Sequence, residues 1–452
     1  MGKRFLILIS LAILILLGCN REGGAPKRNE NTRFTLLSPS KTGIKFSNQL
    51  RETDSANAIF YEYYYNGSGL AAGDLNNDGL TDLVFGANMT RTRVYLNRGN
   101  MTFEDITDKC GIDTRGKWIT GVSIEDINQD GLPDIYLCAA GNINYDYHNL
   151  LYINKGGKGF PAFRECAAEV GLNDNGYTTQ AEFFDYDRDG DLDCYLVTAA
   201  LKIPNKNALR QRKSDGSMIN TDKLYRNDGI NPATGLPVFH DVSRAAGITY
   251  DGFGLGASVC DINNDGWPDI YVGNDYISND LLYVNQKNGT FKEMISDYTR
   301  HISNSTMGVD IADFNNDGLV DIVSLDMQPE NYYRKRTMAL TMRDYHRYLK
   351  ELETGYSPQY IRNMLQMNNG NIEGRITFSE IGQLAGIFET DWSWAPLFAD
   401  FDNDGLKDLF IGNGIPNDVT NMDVSELWMK TMREKPGTQF SDLYKLLKGK
   451  MD

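Results

Sequence analysis

Apolar residues in this chain come in short runs that each follow a stretch rich in Asp, Asn and Gly. The runs are Leu83-Val84-Phe85, Ile135-Tyr136-Leu137, Cys194-Tyr195-Leu196-Val197, Ile270-Tyr271-Val272, Ile322-Val323 and Leu409-Phe410-Ile411. They are too short for helices and are bounded by turn residues, so each predicts a strand entered from a polar loop. A second landmark is Phe followed three residues later by an apolar side chain, at Phe34, Phe103, Phe163, Phe239, Phe291 and Phe378. Four of these have Gly and then Ile or Leu eight residues on, as in Gly111-Ile112 and Gly171-Leu172. A third, ahead of most of the phenylalanines, is Tyr95-Leu96-Asn97, Tyr152-Ile153-Asn154, Tyr225-Arg226-Asn227, Tyr283-Val284-Asn285 and the altered Leu365-Gln366-Met367-Asn368.

From the Phe to the next acidic loop the distance is 22 or 23 residues in five copies and 40 in the first, which places an insertion around Phe46 to Tyr64. A repeat of roughly 50 to 60 residues with three or four short strands is the size of a propeller blade. The expected fold is therefore all-β, a propeller-like array over residues 33–415 with six blades or most of a seven-bladed ring. Apolar residues at helical spacing between Tyr332 and Met367 predict a helical insertion at about residues 330–367, and residues 416–452 read as a helical tail.

The acidic loops share one nine-residue pattern, Asp-x-[Asn/Asp]-x-Asp-Gly-x-x-Asp, six times. Clusters of Asn, Asp and Gly also build metal-free Asx and hairpin turns. Repetition with identical internal spacing points instead to a ligand set. Calcium takes six to eight oxygens at about 2.3–2.6 Å, and a loop supplies them from alternate positions when a glycine permits a sharp turn. Positions 1, 3, 5 and 9 offer side-chain oxygens and position 7 a backbone carbonyl. The expected Ca²⁺ ligands are Asp74, Asn76, Asp78 and Asp82; Asp126, Asn128, Asp130 and Asp134; Asp185, Asp187, Asp189 and Asp193; Asp261, Asn263, Asp265 and Asp269; Asp313, Asn315, Asp317 and Asp321; and Asp400, Asp402, Asp404 and Asp408. The loop resembles the first half of an EF-hand with its last acid brought forward, but strands rather than helices flank it.

The loops together with the Tyr-x-Asn-x-Gly…Thr-Phe strands resemble the FG-GAP or VCBS-type repeats of integrin α-subunit propellers and of bacterial relatives of cartilage acidic protein. That resemblance implies calcium on one face of a β-propeller and a role in adhesion or ligand recognition outside the cell. Many relatives continue into a UnbV/ASPIC domain, of which this chain shows no counterpart.

The amino terminus reads as an export signal. Lys3 and Arg4 precede an apolar run of 13 residues, Phe5 to Leu17, too short to span about 30 Å of hydrocarbon as a helix. Leu16-Leu17-Gly18-Cys19 resembles a bacterial lipobox, which implies cleavage after residue 18, acylation of Cys19 and a membrane-anchored lipoprotein. Asn20 points by analogy to the outer membrane or cell surface. Residues 19–32 read as a flexible tether.

Charge and chemistry narrow the function. The formal charge of −16, or −18 once Lys3 and Arg4 are removed, excludes nucleic acid as a partner. Five cysteines beyond Cys19 and four scattered histidines form neither a disulfide framework nor a transition-metal cluster. No nucleophile elbow, zinc-protease motif or P-loop is present and every conspicuous carboxylate falls in a loop, so no catalytic residue is expected and the chain reads as a binding module. A calcium-dependent polysaccharide-processing enzyme and a purely structural surface component are the alternatives. An extracellular protein or glycan ligand would sit on the insertions. Phe60 to Tyr65 reads as alternating strand core or as a sugar-stacking run, Lys202 to Lys213 as a solvated basic loop or a patch for an anionic glycan, and the helical insertion as a cap or a docking element.

Overall fold

The computed structural model describes residues 34–53, 56–58, 61–141, 145–199, 203, 205–338, 344–415, 420–435, 438, 442 and 444–447. The chain divides into two compact units, residues 1–38 and 39–452. In the first, residues 34–38 belong to no helix or strand, so Phe34 opens no strand as its repeat position predicts. The signal sequence, the tether and Cys19 lie outside the described residues.

In the second unit each acidic loop joins the first two strands of a separate antiparallel sheet, as the pattern requires. The four-stranded sheets are Leu70–Gly73, Asp82–Phe85, Arg93–Asn97 and Phe103–Asp105; Trp118–Glu125, Asp134–Ala140, Leu150–Asn154 and Phe163–Glu165; Thr178–Phe184, Asp193–Thr198, Lys223–Asn231 and Leu236–Asp241; Gly254–Cys260, Asp269–Asn274, Leu281–Asn285 and Phe291–Glu293; and Gly308–Ala312, Asp321–Leu325, Met364–Ile372 and Arg375–Glu380. A sixth sheet pairs only Ser393–Ala399 with Asp408–Asn413. The short apolar runs are the second strands, and those of the second, third and fourth sheets are buried along their whole length. Such burial of both faces explains why they read as continuous apolar runs rather than as alternation.

The first strands of all six sheets face one central cavity of about 460 Å³, to which Leu70, Thr120, Gln180, Gly256, Gly308 and Pro396 contribute. Neighbouring first strands are tied by side-chain bonds to backbone: Thr120 Oγ1 donates to Thr178 O at 2.6 Å, Ser123 Oγ to Ala181 O at 2.9 Å and Gln180 Nε2 to Ala257 O at 3.0 Å. The sheets pack face to face through successive apolar layers, such as Tyr136, Leu151 and Ile153 with Cys194, Leu196 and Phe239. The Gly that follows the outer strand of each of the first three sheets lets these layers close. Gly171 has φ +88°, and a Cβ there would stand 2.6 Å from Phe239 O. This is an all-β propeller-like architecture.

Three expectations change. Tyr61, Tyr63 and Tyr64 are buried but lie in a turn, not a strand, with the rings of Tyr61 and Tyr64 5.4 and 5.2 Å from that of Trp118. Lys202 lies outside the described residues, and the described part of the basic segment is a loop exposed at alternate residues but tied down at its cations. Lys206 pairs with Glu62, Arg210 with Asp251 at 3.2 Å, and Tyr356 Oη donates to Arg210 O at 2.9 Å. Among the described residues the insertion is helical over Tyr332–Thr337 and Tyr345–Glu353; from Gln359 it is extended, and Met364–Ile372 is a strand of the fifth sheet. In the tail, helix Met422–Glu434 places Val424 against Tyr444 and Leu447, and Tyr444 Oη donates to Glu52.

In the second to fifth sheets, at the end away from the acidic loop, a side chain just before the third strand caps the end of the second. Asn149 Oδ1 accepts from Ala139 N, Asp222 from Thr198 N, Asp280 from Asn274 N and Asn363 from Asp326 N, all at 2.7–2.9 Å. Asp222 and Asp280 also accept from Tyr195 Oη and Tyr271 Oη. Burial pushes both carboxyls up to about 7. Each therefore keeps in the folded chain a proton that the unfolded chain loses near pH 4. Its contribution to stability is complete below that pH and is lost as pH rises through about 7. Asn149 and Asn363 show that an amide serves the same position. The double substitution Asp222→Asn, Asp280→Asn should raise stability at pH 8 by about 1–3 kcal/mol and flatten the fall in melting temperature between pH 5 and 8. Calorimetry across that range, with divalent cation saturating, checks it; an unchanged slope would assign the pH dependence elsewhere.

Candidate metal centres

The six loops share one backbone conformation, and their sequence dictates it. Position 4 takes positive φ in every copy, from 56° at Asn77 to 64° at Arg188, and the glycine at position 6 does likewise, with φ +86° at Gly131. Two left-handed residues within three positions curl the chain around the position 1 carboxylate. Asp74, Asp126, Asp185, Asp261, Asp313 and Asp400 each accept the N–H of position 5 through Oδ1 and the N–H of position 6 through Oδ2, at 2.6–3.1 Å. Asp78, Asp130, Asp189, Asp265, Asp317 and Asp404 accept the N–H of position 7 through Oδ1. Both carboxylates are thus set, and each oxygen still has a lone pair to give.

Position 9 is the buried member. Asp82, Asp134, Asp193, Asp269 and Asp321 are at most 1% exposed. In each, Oδ2 accepts from the N–H of loop position 2 and Oδ1 from the N–H of the asparagine in the third strand. For Asp134 these are Ile127 N at 3.1 Å and Asn154 N at 2.8 Å. Burial opposes ionisation and, with the nearby loop aspartates, outweighs those bonds: the carboxyl rises to about 6 at Asp82 and Asp321, about 7 at Asp134 and Asp269, and about 8 at Asp193. Asp408, in the two-stranded sheet, is only half-buried and accepts from Phe401 N at 3.1 Å.

Position 3 completes the constellation. Where it is aspartate, carboxylate oxygens of positions 1, 3 and 9 lie within 4.8 Å of one another, in Asp185, Asp187, Asp193 and in Asp400, Asp402, Asp408. Asn76, Asn128, Asn263 and Asn315 hold the same position elsewhere. The Oδ1 atoms of Asp187 and Asn263 are buried without a hydrogen-bond partner. A buried orphan oxygen is costly. Three convergent carboxylates beside such an atom form a set of hard oxygen donors that could hold a metal ion, and no His or Cys joins it. The expected donors converge in this way in the third and sixth loops; in the other loops position 3 is asparagine.

Two roles were missed in the sequence. The position 4 side chain bonds the next loop: Asn77 Nδ2 donates to Gly131 O at 2.7 Å, Gln129 Nε2 to Gly190 O at 2.6 Å and Asn316 Nδ2 to Gly405 O at 3.0 Å, while the Arg188 guanidinium lies 4.7 Å over the Trp267 ring. In three sheets the asparagine of the third strand reaches back to the preceding sheet's loop: Asn154 Nδ2 donates to Leu75 O and Asn285 Nδ2 to Tyr186 O, both at 2.9 Å, and Asn368 Nδ2 to Ile262 O at 3.1 Å. The recurrence of Asn at both positions was the available signal.

The cysteines after Cys19 are all free, four of them buried. No helix among the described residues is long and apolar enough to cross a membrane.

The FG-GAP-like repeat family matches residues 74–137, 126–196 and 261–324. Cartilage acidic protein 1 of Xenopus tropicalis is 26% identical over 213 residues, which are 46% of this chain and 29% of that protein. Integrin alpha-3 of Cricetulus griseus is 33% identical over 141 residues, 28% of this chain and 13% of that protein. The matches thus span less than a third of either relative's length. Among solved structures, an Agrocybe aegerita lectin with specific recognition of non-reducing terminal N-acetylglucosamine aligns over 76% of this chain and 73% of its own at 17% identity, with a TM-score of 0.40. With these matches falling on loops that share one hydrogen-bonding scheme, the chain carries FG-GAP-like repeats over residues 74–196 and 261–324.

Proposed function

We propose that this protein is an exported, lipid-anchored surface module that binds an extracellular ligand on a propeller held rigid by calcium at its six loops. The observation that carries the calcium part is the pair of buried, unpartnered oxygens at Asp187 and Asn263 beside convergent carboxylates. Crowded aspartates repel one another, and the buried one at position 9 is driven to hold a proton. A divalent cation relieves both, and six would bring the mature charge from −18 to −6. A hard cation with loose geometry suits carboxylate, amide and carbonyl oxygens offered by one short loop. A site half-saturated at about 10⁻⁵–10⁻⁴ M would contribute roughly 1.4–2.7 kcal/mol in millimolar calcium.

Support for ligand binding rather than catalysis is of two kinds. The conspicuous carboxylates are occupied in the repeated loops, and the parts of the fold that differ from repeat to repeat are insertions on a rigid frame, where recognition is commonly carried. The relatives named cartilage acidic protein and integrin alpha fit an adhesion role. The lipobox at Cys19 supplies the anchor, and the acidic charge disfavours nucleic acid.

Chelation should lower the melting temperature steeply, and metal analysis of the calcium-loaded protein should count about six ions; a chelator-insensitive melt would reduce the loops to Asx turns. In chelator, Asp134→Ala should cost about 2–4 kcal/mol in urea unfolding, since it strands the N–H groups of Ile127 and Asn154, whereas Asp408→Ala should cost less than about 1 kcal/mol. Equal losses would show that the buried carboxylate does not organise the blade. Replacement Cys19→Ala should move the protein from the membrane fraction to the soluble fraction and abolish labelling by a fatty-acid probe; persistent membrane association without labelling would remove the anchor. Cells displaying the protein should attach to matrix in a calcium-dependent way, and attachment indifferent to both the protein and calcium would overturn the binding role.

A further inference from the structure

The insertion that splits the fifth sheet builds a groove that the repeats do not account for. Helix Tyr345–Glu353 and residues 359–362 stand across from Gln328 and residues 383–389 around a cavity of about 570 Å³, inside the range of about 300–1,000 Å³ typical of small-molecule sites. Its wall is aromatic. Tyr345 stacks on Tyr348 with centroids 6.5 Å apart and planes at 27°, and Tyr348 lies 6.3 Å from Tyr360. Tyr345 is 68% exposed and Tyr360 43%, although rings of this size are stabilised by burial.

The wall is held in place before any ligand arrives. The strand Gln359–Tyr360 pairs in parallel with Ile302–Ser303. Gln359 Nε2 donates to Ile277 O at 3.0 Å, and its Oε1 accepts from Asn304 Nδ2 at 2.8 Å. The Arg362 guanidinium lies 5.3 Å over the Tyr360 ring and donates to Glu380 Oε2 at 2.7 Å. A fixed ring loses little entropy on binding.

The charges around the groove are matched. Arg362 pairs with Glu380, Lys335 pairs with Glu389, which also accepts from Gln328, and Asp344 caps its helix through His346 N at 3.0 Å. An anion would meet Glu389 and Asp344 on an acidic protein. What the groove presents is a flat apolar wall edged by planar hydrogen-bonding groups, and the Nε of Arg362 is buried with no hydrogen-bond partner.

We infer that this groove is a carbohydrate site for neutral pyranose rings. The C–H face of a sugar lies on Tyr345 and Tyr360, and its hydroxyls meet Gln383 and Glu389, which line the same groove. A pyranose matches both halves of the wall, since its ring carbons are apolar on one face and its rim is a belt of donors and acceptors. The inference rests on the ligand-binding reading above and names the ligand class. It leaves the calcium loops a supporting role.

The test is a microarray of neutral and anionic oligosaccharides probed with the calcium-loaded full chain, followed by calorimetric titration of whichever neutral glycan is retained. Neutral glycans should bind, and Tyr345→Ala with Tyr360→Ala should weaken them roughly tenfold or more with an unchanged calcium-dependent melt. Tyr332→Ala, at an exposed ring outside the groove lining, should leave affinity unchanged. Binding confined to anionic glycans, or neutral binding that survives the double substitution, would overturn the site. Calcium-dependent cell attachment with no glycan bound would overturn it while leaving the surface-binding function standing; loss of attachment as well would remove both.

Discussion

One buried carboxylate per sheet ties the elements of this fold together. Asp134 closes its loop by accepting Ile127 N and holds the far end of the third strand by accepting Asn154 N. Asn154 then reaches Leu75 O in the preceding sheet. Loop, second strand, third strand and neighbouring sheet are thus joined by two side chains, and the scheme recurs at Asp269 with Asn285 and Tyr186. A carboxylate removed from water is tolerated only when bonded or neutralised. Its burial pushes it to about 7 even with both oxygens bonded, so the scaffold contains a built-in demand for either a proton or a cation.

That demand separates the two ends of each sheet. At the loop end, acids gather and position 4 links one loop to the next. At the other end, single Asn or Asp side chains cap the second strand, two of them fully buried acids with a tyrosine hydroxyl. The sixth sheet shows what the third strand supplies. Without one, Asp408 is half-buried, and Phe410 in its second strand is 58% exposed where Tyr136 and Tyr195 at the matching positions are fully buried. The insertions use this regular frame as a foundation. Residues 357–362 are anchored to it through Asn279, Ile277 and Asn304, with Tyr360 among them facing outward.

The repeat was legible because its determinants are local. Nine residues contain every side-chain ligand of a loop, and the strand that follows is announced by its own apolar run. The Phe and Tyr-x-Asn landmarks mark outer and third strands in five sheets for the same reason. The fates of Tyr61 to Tyr64 and of Lys206 to Arg210 were not legible. An aromatic run or a basic run has the same composition whether it meets solvent, a ligand or a partner far along the chain, and here the partners are Trp118, Glu62 and Asp251.

The sequence alone therefore determined the unit, the number of loops and which oxygen donors each loop offers, since loop geometry and strand pattern act over a few residues. Only the tertiary structure decided that position 4 of one loop bonds the next, that position 9 is buried deeply enough to hold a proton, and that Tyr345 and Tyr360 share a wall facing Glu389. Those outcomes depend on distances between segments far apart in the chain, and such distances are set when the sheets pack.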